Sequence, residues 1–293
     1  GGGSLYDVVQ MVGLFINGGP IVQVRDREGK PQIFYDRDTS VVYDGPLVVM
    51  VNEFSASASE IFAAAIQDYN RGIILGSTST YGKGTVQRNI GLDKVLGFID
   101  ANNDLGTIKL TLQKFYRING GSTQLKGVAS DINLPDVYEY SKLREKDTPE
   151  ALPWDEITKA TYTPWKYKLD WAPIKRASEE RIRSGNAFTT IRDNAKWIAE
   201  QDDKVYSLNL KKFTEENKKV RAAVKQIESA VKLTKEVDLV ALPEDLDRLA
   251  YDSGKLERFK DWLKNLRTDI YLDESVNVIN DLIKQQSVVY NLH

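Results

Sequence analysis

Residues 46–72 read PLVVMVNEFSASASEIFAAAIQDYNRG. The first seven form a short, wholly apolar, valine-rich run, the pattern of a strand buried on both faces. Ser55, Ser57 and Ser59 follow at the mouth of an alanine-rich stretch that reads as a buried helix. Ile73 to Leu75 then supplies another buried strand, completing a strand–helix–strand unit of an α/β core. Further downstream, residues 82–90 read as a strand, and residues 107–118 alternate through Ile108, Leu110, Leu112 and Phe115 before a turn at Asn119, Gly120 and Gly121. Upstream, Leu5, Val8, Val9 and Val12 recur at helical spacing, and Gly18, Gly19 and Pro20 end that element. Residues 21–25 and 33–35 read as short strands about a turn at Glu28, Gly29 and Lys30.

The character changes after about Leu143. Charges and two prolines fill residues 142–153, as in a boundary segment. From Glu156 onward helical periodicity with charged faces dominates, notably over 204–235, 242–266 and 274–282. Those charge runs read as solvated helix faces rather than binding tracts.

Composition excludes several chemistries. The 293 residues contain no cysteine, so a thiol nucleophile, a disulfide framework and a cysteine-based metal site are all ruled out. The single histidine is His293, the last residue, which argues against a Ser-His-Asp triad and a histidine-based zinc site. A hydrolase built from this sequence needs Ser, Thr or a carboxylate as nucleophile, and Lys, Asp, Glu or Tyr as base. A formal net charge of −2 gives no electrostatic footprint for nucleic acid. No apolar run approaches the ~20 residues that span a bilayer.

The strand–helix junction suits a nucleophile. A helix N-terminus offers unpaired N–H groups and a positive dipole end to an oxyanion. The Ala58 amide, next to Ser57, is the candidate donor. A structural alternative stands beside this one: Ser57, Ala58, Ser59 and Glu60 also fit a capping box, in which Ser57 accepts from the Glu60 amide and Glu60 reaches back. Lys83 shifts the balance. It lies between Gly82 and Gly84, beside a buried strand, where a solvated lysine is out of place. Desolvation favours a neutral amine, and a neutral amine can deprotonate a serine hydroxyl. If residues 82–87 are extended, Lys83, Thr85 and Gln87 share a face, and Gln87 can hold the amine. A phosphate-binding loop is the rival reading of Lys83. It fails on spacing, because Gly76 and Gly82 are six apart and Gly84 replaces the required Ser or Thr.

FSASASEIFAAAIQDYNRG (54–72) followed by YGKGTVQ (81–87) resembles the active-site block of the carboxy-terminal processing, or tail-specific, proteases. GGGSLYDVVQMVGLFI at the start resembles the family's segment just after its glycine turn, and KFYRINGGSTQLKGVASDINLP (114–135), ALPWDEI (151–157) and DIYLDESVNVINDL (269–282) resemble the long periplasmic branch of that family. The resemblance implies a mixed α/β protease core of strand–helix–strand units, crotonase/ClpP-like, over residues 1–145. A mostly α-helical C-terminal domain over 146–293 would follow. It implies Ser57 as nucleophile, Lys83 as general base and Gln87 as the residue that orients the lysine. Asp68 matches an aspartate assigned to a charge relay, although eleven residues of helix place it ~16 Å along the axis from Ser57. Fixing the end of the helix, or pairing with Arg71, suits it better. Gly1, Gly2 and Gly3 match the glycine turn that supplies the second oxyanion donor, which points to Gly2 and Gly3.

The family pattern departs in one place: GSTSTYGKG is one residue longer than usual. The resemblance further implies protein or peptide substrates with unstructured, apolar C-termini, a periplasmic and membrane-associated setting, and no metal or cofactor. An adaptor protein is a further partner. The family's N-terminal region and PDZ domain are expected upstream of Gly1, and these residues alone are expected to be weak or inactive. Two other readings differ in class. A Ser–Lys amidase places its lysine three residues after the serine, where Glu60 stands here. A catalytically dead module would bind an adaptor or partner through its helical half.

Overall fold

The computed structural model describes residues 1–92, 105–166, 170–202 and 204–290, with side chains through 286; His293 lies outside them. The described chain divides into two compact units. The first comprises Gly1–Ile74, Thr78–Asp131 and Lys142–Lys168, and the second Leu75–Ser77, Ile132–Ser141 and Leu169–His293.

The first unit begins with α1 (Leu5–Gly13), capped by the Ser4 hydroxyl, which accepts from the Asp7 amide. Then come β1 (Gly19–Asp26), β2 (Pro31–Asp36), β3 (Val48–Val51), α2 (Ala58–Asp68), β4 (Ile73–Gly76), β5 (Thr85–Gly91) and β6 (Thr107–Tyr116). One four-stranded sheet has the order β2-β1-β6-β5, with every neighbouring pair antiparallel. A second has the order β3-β4-β7, in which Leu75 and Gly76 of β4 pair in parallel with β7 (Ile132–Asn133). The core packs Val12 and Ile16 against Ile21, Val22 and Val24 of β1 and the Ala63, Ala64, Ala65 and Ile66 face of α2. Small side chains on α2 allow this close approach. The helix stops because Asn70 turns left-handed at φ 58°, which places the Arg71 amide on the Ile66 carbonyl.

Two expectations need correction. The apolar run of β3 is not buried on both faces: Met50 is 45% exposed, because β3 is an edge strand among the described residues and borders an open cavity of about 430 Å³. Residues 82–84 are loop rather than strand, since β5 begins only at Thr85.

In the second unit the helices begin later than the charge pattern suggests. They are α3 (Trp171–Ser184), α4 (Asn186–Asp202), α5 (Leu210–Ala230), α6 (Pro243–Leu249), α7 (Ser253–Leu266) and α8 (Ile270–Tyr290). Arg181 of α3 binds Glu274 and Asp281 of α8, and the Ser178 hydroxyl donates to the buried Glu274 at 2.6 Å. No helix among the described residues is long and apolar enough to cross a membrane.

Candidate active site

Ser57 sits where β3 hands over to α2, as the N-cap residue, with φ 57° and ψ −115°. A non-glycine residue at positive φ is strained and persists only where its surroundings hold it there. Two contacts do so. The Ser57 amide donates to the Glu60 carboxylate at 2.7 Å. Gly2 packs on the other side: a Cβ there would stand 2.7 Å from the Ser57 Cβ and 2.9 Å from the Ala56 carbonyl oxygen, so only glycine fits. The glycine turn is itself anchored, with the Gly1 nitrogen on the Phe54 carbonyl at 2.7 Å and the Ser59 hydroxyl on the Gly1 carbonyl. Gly3 has no such constraint. Of the two candidate glycines, Gly2 is therefore the one that the packing requires.

The capping-box alternative is half right. Glu60 reaches back to the Ser57 amide, but the Glu60 amide bonds the main-chain carbonyl of Ser57, at 2.9 Å. The Ser57 side chain makes no cap hydrogen bond, so its hydroxyl is not committed to the helix N-terminus.

Glu60 is the residue whose importance the sequence did not reveal. It is 0% exposed, yet its two oxygens accept four hydrogen bonds. Oε2 takes the amides of Ser57 and Lys83, at 2.7 and 3.0 Å. Oε1 takes the Thr80 hydroxyl at 2.6 Å and the Gly82 amide at 2.7 Å. Four donors on two oxygens call for the ionised carboxylate. Burial opposes ionisation and pushes the group up to about 7, although each of those donors pulls the other way. One buried carboxylate thus ties the backbone of the serine to the backbone of the lysine.

The lysine loop is held as tightly. In residues 81–84 all four N–H and all four C=O groups are satisfied. The Tyr81 amide donates to the Ser55 carbonyl at 3.0 Å, and the Tyr81 carbonyl accepts from the Glu145 amide at 3.0 Å. Gly82 accepts from the Leu125 amide at 2.8 Å, and Lys83 from the Thr123 hydroxyl at 3.0 Å. The Gly84 amide donates to the Gln124 side chain at 2.8 Å, and its carbonyl accepts from the Phe115 amide at 2.9 Å. Gly84 must be glycine, because a Cβ would lie 2.7 Å from both the Gln124 nitrogen and the Ser122 hydroxyl. Just before this loop the Thr80 amide bonds the Val128 carbonyl at 3.1 Å.

Lys83 Nζ donates to Gln87 Oε1 at 3.2 Å, and Gln87 in turn donates to the Thr111 hydroxyl at 3.3 Å. Lys83 and Gln87 meet as expected even though Lys83 precedes the strand and β5 is irregular between Val86 and Gln87. Ser57, Lys83, Gln87, Ala58, Gly2 and Gly3 line one cavity of about 360 Å³. Within it the amine bonds Gln87 rather than the Ser57 hydroxyl.

Asp68 is elsewhere. It ends α2 in a buried ion pair with Arg117, at 2.6 Å, and accepts from Asn119 at 2.9 Å. Burial pushes its carboxyl upward, and Arg117 opposes the shift. It does fix the end of the helix, but not through Arg71, whose guanidinium bonds the Phe15 and Tyr43 carbonyls and stacks on Trp165 at 4.8 Å. Asp68 does not line the cavity that holds Ser57 and Lys83.

Comparison with known proteins gives the family. Residues 1–134 match the model of peptidase family S41, and residues 138–284 match the C-terminal domain of tail-specific protease. The tail-specific protease of Haemophilus influenzae is 38% identical over 290 residues, which cover 96% of this chain and 41% of that protein. The carboxy-terminal-processing protease of Bartonella bacilliformis is 35% identical over 143 residues, 47% of this chain and 30% of the relative. The chloroplastic C-terminal processing peptidase of Tetradesmus obliquus is 30% identical over 155 residues, 53% and 28%. The chain spans less than half the length of each relative. The glycine turn, the strained serine and the glycine-flanked lysine fall within the first matched region, and the helices of the second unit up to residue 284 within the next. The chain belongs to the tail-specific proteases of peptidase family S41.

Proposed function

We propose that this chain carries the catalytic centre of a serine endopeptidase that cleaves proteins near their C-termini. The observation that carries the reading is Ser57, held at positive φ on the α2 N-terminus, facing the same cavity as Lys83. In the acylation step the neutral Lys83 amine takes the Ser57 hydroxyl proton as Oγ bonds the scissile carbonyl carbon. The resulting oxyanion accepts from the Ala58 amide and from the glycine turn at Gly2. The C–N bond then breaks, and the leaving amine takes its proton from the Lys83 ammonium. Water, activated by the same amine, releases the acyl group from Ser57. Gln87 holds the amine, which must also reach Ser57 Oγ for the proton to move. Asp68 has no part in the relay.

The substrates on this reading are polypeptides with unstructured, apolar C-termini, in the periplasm, and an adaptor protein is a further partner. The test is cleavage of a disordered polypeptide with an apolar tail by the full natural protein. Ser57→Ala and Lys83→Ala are each expected to lower the rate by at least about 10³-fold while leaving the fold intact. Retained cleavage in either variant would overturn the assignment.

A further inference from the structure

We propose that Glu145 is a positioning residue for the catalytic lysine, acting through Gln124 and Tyr81. The inference rests on the Ser57–Lys83 reading and extends it to a segment outside the motif that carries both residues. Glu145 opens a short 3-10 turn (Glu145–Asp147) just after the chain returns to the first unit at Lys142. It reaches the lysine loop in two ways. Its amide donates to the Tyr81 carbonyl at 3.0 Å. Its carboxylate accepts from Gln124 Nε2 at 3.1 Å. Gln124 passes the constraint on, because its Oε1 accepts the Gly84 amide at 2.8 Å. Lys83 is thus bracketed: the residue two before it is tied to the Glu145 amide, and the residue one after it is tied through Gln124 to the Glu145 carboxylate.

Gln124 is fully buried. An amide side chain there can settle in two orientations, and only one presents oxygen to Gly84. The Glu145 carboxylate selects that orientation, since it can accept a hydrogen bond but cannot donate one. Without it, Gln124 can turn its NH2 toward the Gly84 N–H, and the loop loses an anchor beside the base. Glu60 fixes the loop from the side of the nucleophile, whereas Glu145 fixes it from the opposite flank. Placement of the amine against Ser57 needs both, because sub-ångström errors in a proton-transfer pair are costly.

The experiment is steady-state cleavage of a disordered, apolar-tailed polypeptide by the full natural protein, together with thermal unfolding. Glu145→Ala is expected to lower kcat about tenfold with KM changed less than about twofold. Glu145→Gln keeps an acceptor oxygen for Gln124 but no longer forbids the flipped orientation, so kcat should recover only in part, to between the alanine variant and the parent. Ser57→Ala separates the layers. If Ser57→Ala abolishes cleavage while Glu145→Ala leaves kcat unchanged, the positioning role is overturned and the catalytic pair stands. If Ser57→Ala still cleaves, both fall. Should Glu145→Ala unfold, Gln124→Glu offers the second route. It places like charges together and removes the orientation lock, and an unchanged kcat in that variant overturns the proposal.

Discussion

Residues 81–84 and the helices α5 to α7 are built on opposite terms. In the loop every main-chain group has a partner, several supplied by side chains from distant segments: Glu60, Thr123 and Gln124. In the helical stretch, α6 and α7 bury no residue at all, and α5 buries only Ala223 and Ile227. The loop's position is determined by many directional bonds, so the loss of one acceptor shifts atoms that must meet. The helices rest on their own backbone bonds and a thin apolar seam, so most of their side chains can change at little cost. Where geometry matters the chain spends buried polar groups, and where it does not, it leaves apolar ones in solvent.

The sharpest way to break that contrast is Glu60→Gln. The amide offers one acceptor oxygen where four donors converge, and its NH2 faces the amides of Ser57 and Lys83. An expected loss of about 10²-fold or more in kcat, in protein that remains folded, would confirm that the loop is position-critical. The pH dependence gives a second reading with an opposite sign. The folded-state value, about 7, lies above the ordinary carboxyl value of 4.5. The native state therefore binds the extra proton between those values, and this group's contribution to stability rises as pH falls from about 7 toward 4.5. The four-donor arrangement needs the ionised form, so activity should fall over that same window. Thermal midpoint and kcat, measured from pH 5 to 8, should move in opposite directions. Glu60→Gln should flatten the stability trend.

Asp68→Ala tests the other side of the comparison within the same unit. Its ion pair with Arg117 is buried, and removing one partner strands the guanidinium. The expected cost is about 3 kcal/mol in unfolding free energy, seen as a lower denaturant midpoint. The kcat of the molecules that remain folded should stay within about threefold of the parent. A drop on the scale of Lys83→Ala, with unchanged stability, would restore the charge-relay role.

Much of this was legible in the chain before folding. The α/β order, the serine at the helix mouth, the base between glycines and Gln87 beside it all follow from local pattern, because each depends on neighbours within a few residues. Glu60 was visible only as a capping partner, since its other three donors come from residues 80–83, which local reading cannot bring to α2. Gln124 and Glu145 were less visible still: a Gln in a turn-rich stretch and a Glu in a charged linker look solvated, until the fold buries the first and half-buries the second. The reading of β3 failed for a related reason. An apolar run reports what a strand prefers, and Met50 shows that preference is not occupancy. Asp68 was placed correctly on the helix end, yet its partner, Arg117, lies 49 positions away and could not be chosen over the adjacent Arg71.

The smallest expected effects belong to the helical stretch. Leu208 and Tyr251 are almost wholly exposed, and Trp262 is 53% exposed on α7. Leu208→Ser and Tyr251→Ser should each change unfolding free energy by no more than about 0.5 kcal/mol, because no packed contact is lost. Ile227→Ala, at one of the two buried positions of α5, should cost about 2–5 kcal/mol in the same assay. If the serine variants prove as damaging as Ile227→Ala, those side chains are covered in solution, and the helical stretch is as fully determined as the lysine loop.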